Sequence, residues 1–376
     1  MRVLVIGAGV GGLAVARALG ADGHEVTVFE RAPGLRTTGA ALTLWSNGTG
    51  ILAELGVSLE GVGAAIDVLQ QWDAHGGLLM SVDVAHAAGT YGHPHISLPR
   101  RRLLERLADG LAPGVISFGK ACTGIGQDGA RVRAQFADGT SAEGDLLIGA
   151  DGHHSAVRDH LWGGDPTEPS GWATWQGLGP VPIDVVTSRR GLMIVGREGL
   201  CGLMPAGEGL LQWWFDLRWS PGDPIPASPV AALRERFGGW GAPVGDVLAS
   251  VGDADVEWFP HHRHRVPRRW GSGRATLVGD AAHTMPPTRA QGANQALEDA
   301  WALATALREA RDVPAVLREY ERARSRRAGV VARQAGSEST NKYRPTLARL
   351  LPDVLLSRYY TRWLKRVSDY LATEPA

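Results

Sequence analysis

The segment Arg2-Val-Leu-Val-Ile6 is followed directly by Gly7-Ala-Gly-Val-Gly-Gly12. The first five residues are typical of a short buried strand, and the glycines follow with the spacing G-x-G-x-x-G at the start of a helix-forming run. A second apolar run, Glu25-Val-Thr-Val-Phe29, ends in the acid Glu30. The order of strand, glycine turn, helix, strand and acid predicts a Rossmann-type βαβ unit that binds a dinucleotide.

The glycines of this unit have different tasks. Gly7 permits the tight turn, Gly9 lets the backbone approach a pyrophosphate, and Gly12 lets the helix pack on the strand. Glu30 can accept hydrogen bonds from ribose hydroxyls. We therefore predict a nucleotide-binding set formed by Gly7, Gly9, Gly11, Gly12, Glu30 and Arg31.

A second acid–glycine pair follows another apolar strand. Residues 146–148 form the strand, Gly149-Ala-Asp-Gly152 ends it, and Ser155-Ala-Val-Arg158 starts a helix. An acid at the carboxyl end of a strand, beside a helix cap, suits a ribose or a pyrophosphate. The alternative is a simple Asp-Gly turn, which we expect for Asp138-Gly139 in its polar surroundings. Asp151 is therefore a further candidate for the nucleotide site.

A third segment repeats this order near the end of the chain. Residues 275–278 read as a buried strand, Gly279-Asp280 follows, and a helical pattern runs over residues 295–307. A turn rich in proline and glycine lies between them. The first turn of a helix offers free N–H groups and about half a positive charge, which suits an electron-rich ring and its phosphates. The segment therefore predicts an anionic cofactor.

Together these segments resemble the class A flavin-dependent monooxygenases, the p-hydroxybenzoate hydroxylase-like family, over residues 2 to about 330. The resemblance implies that FAD is the cofactor and that its adenosine half lies at the first glycine turn. It implies that the Asp151-Gly152 pair serves both FAD and NAD(P)H. It further implies that Asp280 contacts the ribityl or ribose region of FAD.

Two more segments carry this resemblance. Pro99-Arg-Arg-Arg-Leu103 opens a helix and is similar to the Arg-x-x-Leu segment of the family, which implies that Arg100 contacts FAD. Arg101 is the alternative, because three consecutive arginines blur the register. Ser170-Gly-Trp-Ala-Thr-Trp-Gln-Gly177 is also similar to the family, although Gln176 stands where arginine is common.

The chain departs from the family in the loop expected under the flavin. The family usually has Pro-x-x-Gly-Gln-Gly, whereas this chain has Pro287-Thr-Arg-Ala-Gln-Gly292. Ala290 adopts a positive φ less easily than glycine, and Arg289 adds a charge, so we expect the loop to be shifted there. The residues of this region predicted to bind the cofactor are Pro287, Gly292, Ala293 and Asn294.

The resemblance implies an α/β fold with three parts. A Rossmann-like FAD-binding domain of the GR2 flavoprotein type would comprise residues 1–68, 97–165 and 266–325. An inserted antiparallel β-sheet domain would bind the substrate and roof the flavin, with residues 69–96 and 166–265. Residues 326–376 would form C-terminal helices, with helical spacing shared by Leu347, Leu350, Leu351, Leu355, Leu356 and Tyr359 and broken or restarted by Pro352.

Substrate contacts are predicted from alternation in the roofing sheet. Residues on its inward face must lie over the flavin, and the candidates are Trp175, Met204, Trp213 and Phe215. Ordinary core packing is the alternative for each of them. Because side chains alternate along a strand, only one of Trp213 and Trp214 can line the pocket. The 13 tryptophans favour a flat, apolar substrate, for instance a polycyclic or indole-like compound.

Composition excludes several classes of partner. The formal net charge is zero, so neither nucleic acid nor a membrane surface is an expected partner. Cys122 and Cys201 are too few for a disulfide framework. The run His261-His-Arg-His-Arg265 is not expected to bind a metal, because consecutive strand side chains point to opposite faces. A cytoplasmic enzyme, monomeric or homodimeric, is expected.

The leading functional hypothesis is an FAD- and NAD(P)H-dependent monooxygenase. The resemblance implies hydroxylation of an aromatic or similarly electron-rich small molecule by O2 through a flavin C4a-hydroperoxide, in bacterial secondary metabolism or aromatic catabolism. NADPH or NADH would bind transiently, since no second G-x-G-x-x-G occurs. Alternatives are an epoxidase, a Baeyer–Villiger-type oxygenase or an oxidase on the same fold, and a non-catalytic flavoprotein. We assign no catalytic side chain, because the chemistry would be centred on the flavin.

Overall fold

The computed structural model describes residues 1–36, 39–337 and 352–373. Its strands in chain order are β1 (Arg2–Ile6), β2 (Glu25–Glu30), β3 (Ala41–Leu44), β4 (Ala64–Ala65), β5 (Val68–Asp73), β6 (Leu78–Asp83), β7 (Ile96–Pro99), β8 (Ile116–Phe118), β9 (Cys122–Gln127), β10 (Val132–Phe136), β11 (Ser141–Gly144), β12 (Leu146–Gly149), β13 (Glu168–Gly179), β14 (Arg190–Val195), β15 (Leu200–Gly207), β16 (Leu210–Arg218), β17 (Glu257–Arg263) and β18 (Ala275–Leu277). These strands form four sheets.

Helices connect and cover the sheets. They are α1 (Val10–Ala21), α2 (Ser46–Glu54), α3 (Ala85–Tyr91), α4 (Arg100–Ala108), α5 (Ala156–Trp162), α6 (Pro229–Phe237), α7 (Val244–Ser250), α8 (Asp280–His283), α9 (Gly292–Leu307), α10 (Val313–Gly336), α11 (Asp353–Val367) and α12 (Tyr370–Thr373). Short 3₁₀ turns occupy Asp184–Thr187, Asp253–Asp255 and Pro287–Arg289. In the described part of the chain, none of the helices is long and apolar enough to cross a membrane.

A five-stranded parallel sheet in the order β18-β12-β1-β2-β8 forms the centre of the first layer. Its strands are short apolar runs buried on both faces, as expected for a parallel sheet covered by helices. The predicted unit β1-α1-β2 is confirmed, with β1 and β2 paired in parallel. Because β1, β12 and β18 are parallel neighbours, the three motifs that follow them meet at one edge of this sheet.

Two small antiparallel sheets flank this layer. One is β11-β10-β9, and the other is β3-β7-β4. In the second, Leu44 of β3 and Leu98 of β7 pack into the core shared with the parallel sheet. Side chains alternate along a strand, so Thr43 and Ser97, which precede these leucines and pair across the two strands, face the opposite way.

A seven-stranded sheet in the order β17-β13-β16-β15-β14-β5-β6, here called the roof sheet, forms the second layer. Its neighbours are antiparallel except for the parallel pair of β14 and β5. Its outer face is covered by α6 and α7. On its inner face, Leu69 packs against the core of the first layer. The inner face is therefore the one that meets the nucleotide-binding layer.

The C-terminal helices differ from the prediction at the domain boundary, whereas the predicted restart of the helical pattern at Pro352 is confirmed. Helix α10 runs unbroken across the predicted boundary at residue 326, because Ala328 and Val331 continue its buried stripe. Helix α11 begins directly after Pro352, which can precede a helix but not continue one. Leu356 is buried, whereas Leu355 and Tyr359 are exposed. The predicted positions Leu347, Leu350 and Leu351 lie outside the described residues.

Candidate functional site

The glycine turn after β1 is pressed against neighbouring backbone at two positions. Gly7 has φ +104°, and a Cβ atom there would lie 2.5 Å from the Ala150 carbonyl oxygen. A Cβ atom on Gly12 would lie 1.9 Å from the Gly7 carbonyl oxygen. Gly9 differs, because no described atom outside its immediate neighbours lies within 4 Å of its Cβ position. The turn is thus closed inward and open outward at Gly9, as a pyrophosphate cradle requires.

The acid after β2 is held in place by this turn. The two carboxylate oxygens of Glu30 accept hydrogen bonds from the N–H groups of Ala8 (2.8 Å) and Ala32 (2.9 Å). Each oxygen keeps a lone pair that can accept a ribose hydroxyl. Arg31 is exposed at the surface. Gly11 faces helix α9, where its Cβ position is 3.4 Å from the Ala296 side chain, so it serves helix packing.

The acid after β12 caps a helix. The Asp151 carboxylate accepts hydrogen bonds from the Ser155 hydroxyl (2.5 Å) and the Val157 N–H (3.2 Å) at the start of α5. Burial raises the pKa of Asp151, and the hydrogen bond from Ser155 opposes this shift. Most of the carboxylate's hydrogen-bonding capacity is therefore used inside the protein.

Arg158 ties this motif to the one after β18. Its guanidinium is fully buried and donates hydrogen bonds to the carbonyl oxygens of Asp280 (3.2 Å) and Ala281 (3.3 Å). It also forms an ion pair with Asp165 at 2.8 Å. The two acid-bearing turns that the sequence identified separately thus form one rigid unit.

The arginine triplet at the start of α4 divides between two environments. Arg100 faces the motif after β18: burial lowers the pKa of Arg100, and the nearby charge of Asp280 opposes this shift. No described residue accepts a hydrogen bond from the Arg100 guanidinium. Arg101 and Arg102 instead form ion pairs with Glu208, at 3.8 and 2.8 Å. Of the two predicted alternatives, Arg100 is the one that lies with Asp280.

The loop at residues 287–292 closes without glycine at its fourth position. Ala290 adopts the left-handed conformation, with φ +47° and ψ +38°, and its N–H donates to the Pro287 carbonyl oxygen at 2.8 Å. The side chain of Asn294 holds this loop, because its amide donates to the carbonyl oxygens of Ala290 (2.7 Å) and Thr43 (3.0 Å). Its carbonyl oxygen accepts from the Trp45 N–H at 3.0 Å. Because these hydrogen bonds occupy the side-chain amide of Asn294, only its backbone can contact a cofactor.

Helix α9 begins in the same loop. Its first intrahelical hydrogen bond runs from the Gln295 N–H to the Gln291 carbonyl oxygen at 2.8 Å. The N–H groups of Gly292, Ala293 and Asn294 precede that bond and are therefore available to an anionic or electron-rich group. The positive end of the helix dipole lies at the same place.

Replacing Ala290 with glycine is expected to stabilise the protein by up to about 1 kcal/mol. The left-handed conformation costs a residue with a Cβ roughly 1–2 kcal/mol, and part of that gain is offset by the greater backbone entropy of glycine. Urea unfolding of the FAD-free protein measures the change. The control is Ala293→Gly, which lies in a normal helical turn and should destabilise by about 1 kcal/mol. Equal destabilisation by both changes would contradict the left-handed assignment.

Three of the four predicted substrate residues lie on the wrong face of the roof sheet. Trp175, Trp213 and Phe215 are buried in the outer core beneath α6 and α7. The prediction is wrong for them because alternation relates neighbours but does not say which face a helix will cover. Met204 does lie on the inner face, where it packs with Leu356 of helix α11.

The inner face carries a different aromatic residue. Trp214 alternates with Trp213 and packs in the same cluster as Met204 and Tyr360 of α11. Tyr360 in turn contacts Trp45, whose indole N–H donates to the Arg289 carbonyl oxygen at 3.3 Å. A continuous set of contacts therefore links the inner face of the roof sheet to the 287–292 loop. Of these aromatic residues, only Trp214 could have been predicted from the sequence, because it is the neighbour of Trp213 that must face the opposite side of the sheet.

The histidine run at the end of β17 is divided among three places. The imidazole of His261 contacts the Thr174 hydroxyl at 2.6 Å inside the roof sheet. The His262 ring lies beside His153, with ring centroids 5.7 Å apart. The ring of His264 accepts from the Thr284 N–H at 3.1 Å. Among the described residues, no group of three metal-ligating side chains is arranged to hold a metal ion.

The residues at this edge fit FAD. The turn open at Gly9 and the carboxylate of Glu30 suit a nucleotide with a pyrophosphate, and the N–H groups at the start of α9 suit the electron-rich ring. Arg100 supplies a half-buried cation that lacks a hydrogen-bonding acceptor among the described residues. The two ends of the site lie at one sheet edge, where a long dinucleotide can span them.

Comparison with known proteins agrees with this geometry. The model of the family described as "FAD binding domain" matches residues 1–335. The chain is 32% identical over 332 residues to an FAD-dependent urate hydroxylase of Klebsiella pneumoniae, covering 85% of each chain. It is 35% identical over 352 residues to a 3-amino-4-hydroxybenzoate 2-monooxygenase of Streptomyces platensis, covering 89% of this chain and 86% of the relative.

A solved structure extends the similarity to three dimensions. The crystal structure of Klebsiella pneumoniae HpxO complexed with FAD and uric acid superposes with a TM-score of 0.86 at 30% identity. The match covers 100% of this chain and 97% of that one. The chain therefore belongs to the FAD-binding-domain family of class A flavin-dependent monooxygenases and is an FAD-dependent oxidoreductase.

Proposed function

We propose that this protein hydroxylates an aromatic or similarly electron-rich small molecule, using FAD, O2 and NADH or NADPH. The observation that carries the proposal is the apolar cluster on the inner face of the roof sheet, where Met204 and Trp214 lead by continuous contacts to the 287–292 loop. A flat, apolar surface there suits a planar ring. The names of two relatives, for urate and for 3-amino-4-hydroxybenzoate, support a ring-shaped substrate.

FAD supplies the redox chemistry when bound, taking electrons from the nicotinamide and passing them to oxygen. The chain's own residues have three tasks in this proposal. The first-turn N–H groups of Gly292 and Ala293 stabilise negative charge, Arg100 and Asp280 hold the cofactor, and the roof sheet excludes water. The face carrying Met204 and Trp214 holds the substrate ring in a reactive position.

Different parts of the chain would bind the cofactor and the substrate. The parallel sheet with its glycine turn and acid-bearing turns would bind FAD, and the roof sheet, covered on its outer face by α6 and α7, would bind the substrate on its inner face. NAD(P)H would bind transiently near Asp151, because the sequence contains no second dinucleotide fingerprint. Specificity would then depend on inner-face residues, while the cofactor site stays the same.

Aerobic oxidation of NADH and NADPH by the FAD-loaded protein tests this function. Phenols, indoles and polycyclic aromatic compounds should be offered, with hydrogen peroxide and products measured in the same samples. We expect at least one compound to accelerate NAD(P)H oxidation and to gain one oxygen atom on its ring. A ring-expanded ester or an epoxide would instead indicate one of the alternative oxygenase reactions. Failure of NADH and NADPH to reduce the flavin would contradict the proposal.

A further inference from the structure

Among the buried polar side-chain atoms that have no hydrogen-bond partner in the described part of the chain, three lie around one place. They are Nδ1 of His95, the hydroxyl oxygen of Ser97 and the hydroxyl oxygen of Tyr360. A buried polar group without a partner costs roughly 1–3 kcal/mol, and native proteins satisfy more than about 90% of such groups. Three of them near one another indicate a place where the missing partner is a bound molecule.

His95 and Ser97 face the same way. His95 directly precedes β7, and Ser97 is the second residue of that strand. Ile96, which lies between them, and Leu98, which follows Ser97, point into the core of the first layer. Because side chains alternate, His95 and Ser97 face away from that core. Strand β15, which belongs to the roof sheet and carries Met204, contacts β7.

Tyr360 reaches the same place from the C-terminal helix α11. Its ring meets the rings of His95 and Trp45 edge-on, with both centroid distances 5.9 Å. The same ring packs in the cluster of Met204 and Trp214 on the inner face of the roof sheet. The three polar atoms therefore lie between the roof sheet and the 287–292 loop, beside the proposed place of the substrate ring.

The hydrogen-bond pattern fixes which groups can donate. The Ser46 hydroxyl donates its proton to the His93 carbonyl oxygen (2.9 Å), so it can only accept from Nε2 of His95 (2.9 Å). Nε2 therefore carries the ring proton and Nδ1 presents a lone pair. Burial lowers the pKa of His95 to about 4, although the charge of Asp67 opposes the shift. At neutral pH the side chains of His95, Ser97 and Tyr360 together offer one nitrogen acceptor and two hydroxyls, and none of them is charged.

We propose that His95, Ser97 and Tyr360 recognise the edge of an uncharged aromatic substrate that bears an O–H or N–H donor. The inference rests on the proposed function, because it takes the space beneath the roof sheet as the substrate site. A donor on the ring would be shared by two acceptors, Nδ1 of His95 and the hydroxyl oxygen of Tyr360, so that loss of either weakens the preference for a donor-bearing ring. The Ser97 hydroxyl would accept or donate beside them. Strand β15, Leu-Cys-Gly-Leu-Met-Pro-Ala-Gly over Leu200–Gly207, has no charged residue and therefore offers no counter-charge to a carboxylate.

Binding to the FAD-loaded protein without NAD(P)H tests this inference. Calorimetry should compare 2-naphthol with 2-methoxynaphthalene and 2-naphthoate, and indole with 1-methylindole. We expect each donor-bearing probe to bind at least tenfold more tightly than its methylated or carboxylate counterpart. In the Tyr360→Phe variant the preference for 2-naphthol over its ether should fall to less than threefold. Equal affinities in the unaltered protein, or no binding of either donor-bearing probe, would overturn the inference.

A neighbouring tyrosine provides the matched control. Tyr359 is 70% exposed on the same helix, so Tyr359→Phe should keep the full preference and the same FAD content. An equal loss in both variants would mean that the helix, and not the Tyr360 hydroxyl, determines binding, and would overturn the inference. The two proposals also fail separately. Selective binding without oxygenated products contradicts only the proposed reaction, whereas oxygenation without donor preference contradicts only the recognition by these three residues.

Discussion

Replacement of Gly12 with alanine is expected to abolish measurable FAD binding and to destabilise the FAD-free protein by about 1–3 kcal/mol. The added Cβ atom would lie 1.9 Å from the Gly7 carbonyl oxygen, so the turn and helix α1 would have to separate. FAD titration followed by flavin fluorescence and urea unfolding of the FAD-free protein measure the two effects. Unchanged affinity for FAD would contradict the close packing of this turn.

Two other glycines of the same segment separate stability from binding. Gly9→Ala adds a methyl group where the described protein leaves open space, so the FAD-free protein should keep its stability while FAD affinity falls at least tenfold. Gly20→Ala lies in α1, also in open space, and should leave FAD binding unchanged with a gain of up to about 1 kcal/mol. If Gly9→Ala bound FAD normally, the pyrophosphate would have to lie elsewhere.

Replacement of Arg324 with methionine is expected to destabilise the protein by about 3–5 kcal/mol. Arg324 is fully buried and donates to Asp299 (2.8 Å) and Asp369 (2.7 Å), with the Glu298 carboxylate 3.6 Å away. Burial lowers the pKa of Arg324, but these carboxylates outweigh it and the pKa is raised. Methionine keeps much of the volume but leaves buried carboxylates without their counter-charge.

The same helix offers a control for the Arg324 variant. Arg322 is exposed and its ion pair with Glu319 is 3.8 Å long, so Arg322→Met should change stability by less than about 1 kcal/mol. Urea unfolding of both FAD-free variants measures the difference. If the two substitutions had equal effects, the buried network would not contribute to stability in the way its geometry indicates.

The network also explains why the motif after β18 is firmly positioned. The second oxygen of Asp299 accepts hydrogen bonds from the Gly279 N–H (2.7 Å) and the His283 ring (2.6 Å). Arg324 holds the first oxygen and thereby connects helix α10 to this turn. Loss of Arg324 should therefore weaken FAD binding as well as stability, because Asp280 lies between Gly279 and His283.

Local patterns predicted the nucleotide-binding layer well. The run Arg2–Ile6, the glycine turn and Glu30 are adjacent in sequence, and their geometry follows from short-range sterics and strand periodicity. The Trp213 assignment was wrong because a strand's alternation does not reveal which face α6 and α7 cover. His95 and Tyr360 were not predicted at all, since they meet only when the C-terminal helix packs near β7.

The alternation along β16 has a consequence for how such an enzyme can change over evolution. Trp213 and Phe215 are buried beneath helices α6 and α7, whereas Trp214, between them in sequence, faces the proposed substrate. Alternate residues of one short strand therefore serve different purposes: some maintain the fold and the others select the ligand. Either set can change while the other is conserved. A library randomised at position 214 should yield many folded proteins with altered ligand preferences, whereas one randomised at 213 should yield mostly unfolded chains.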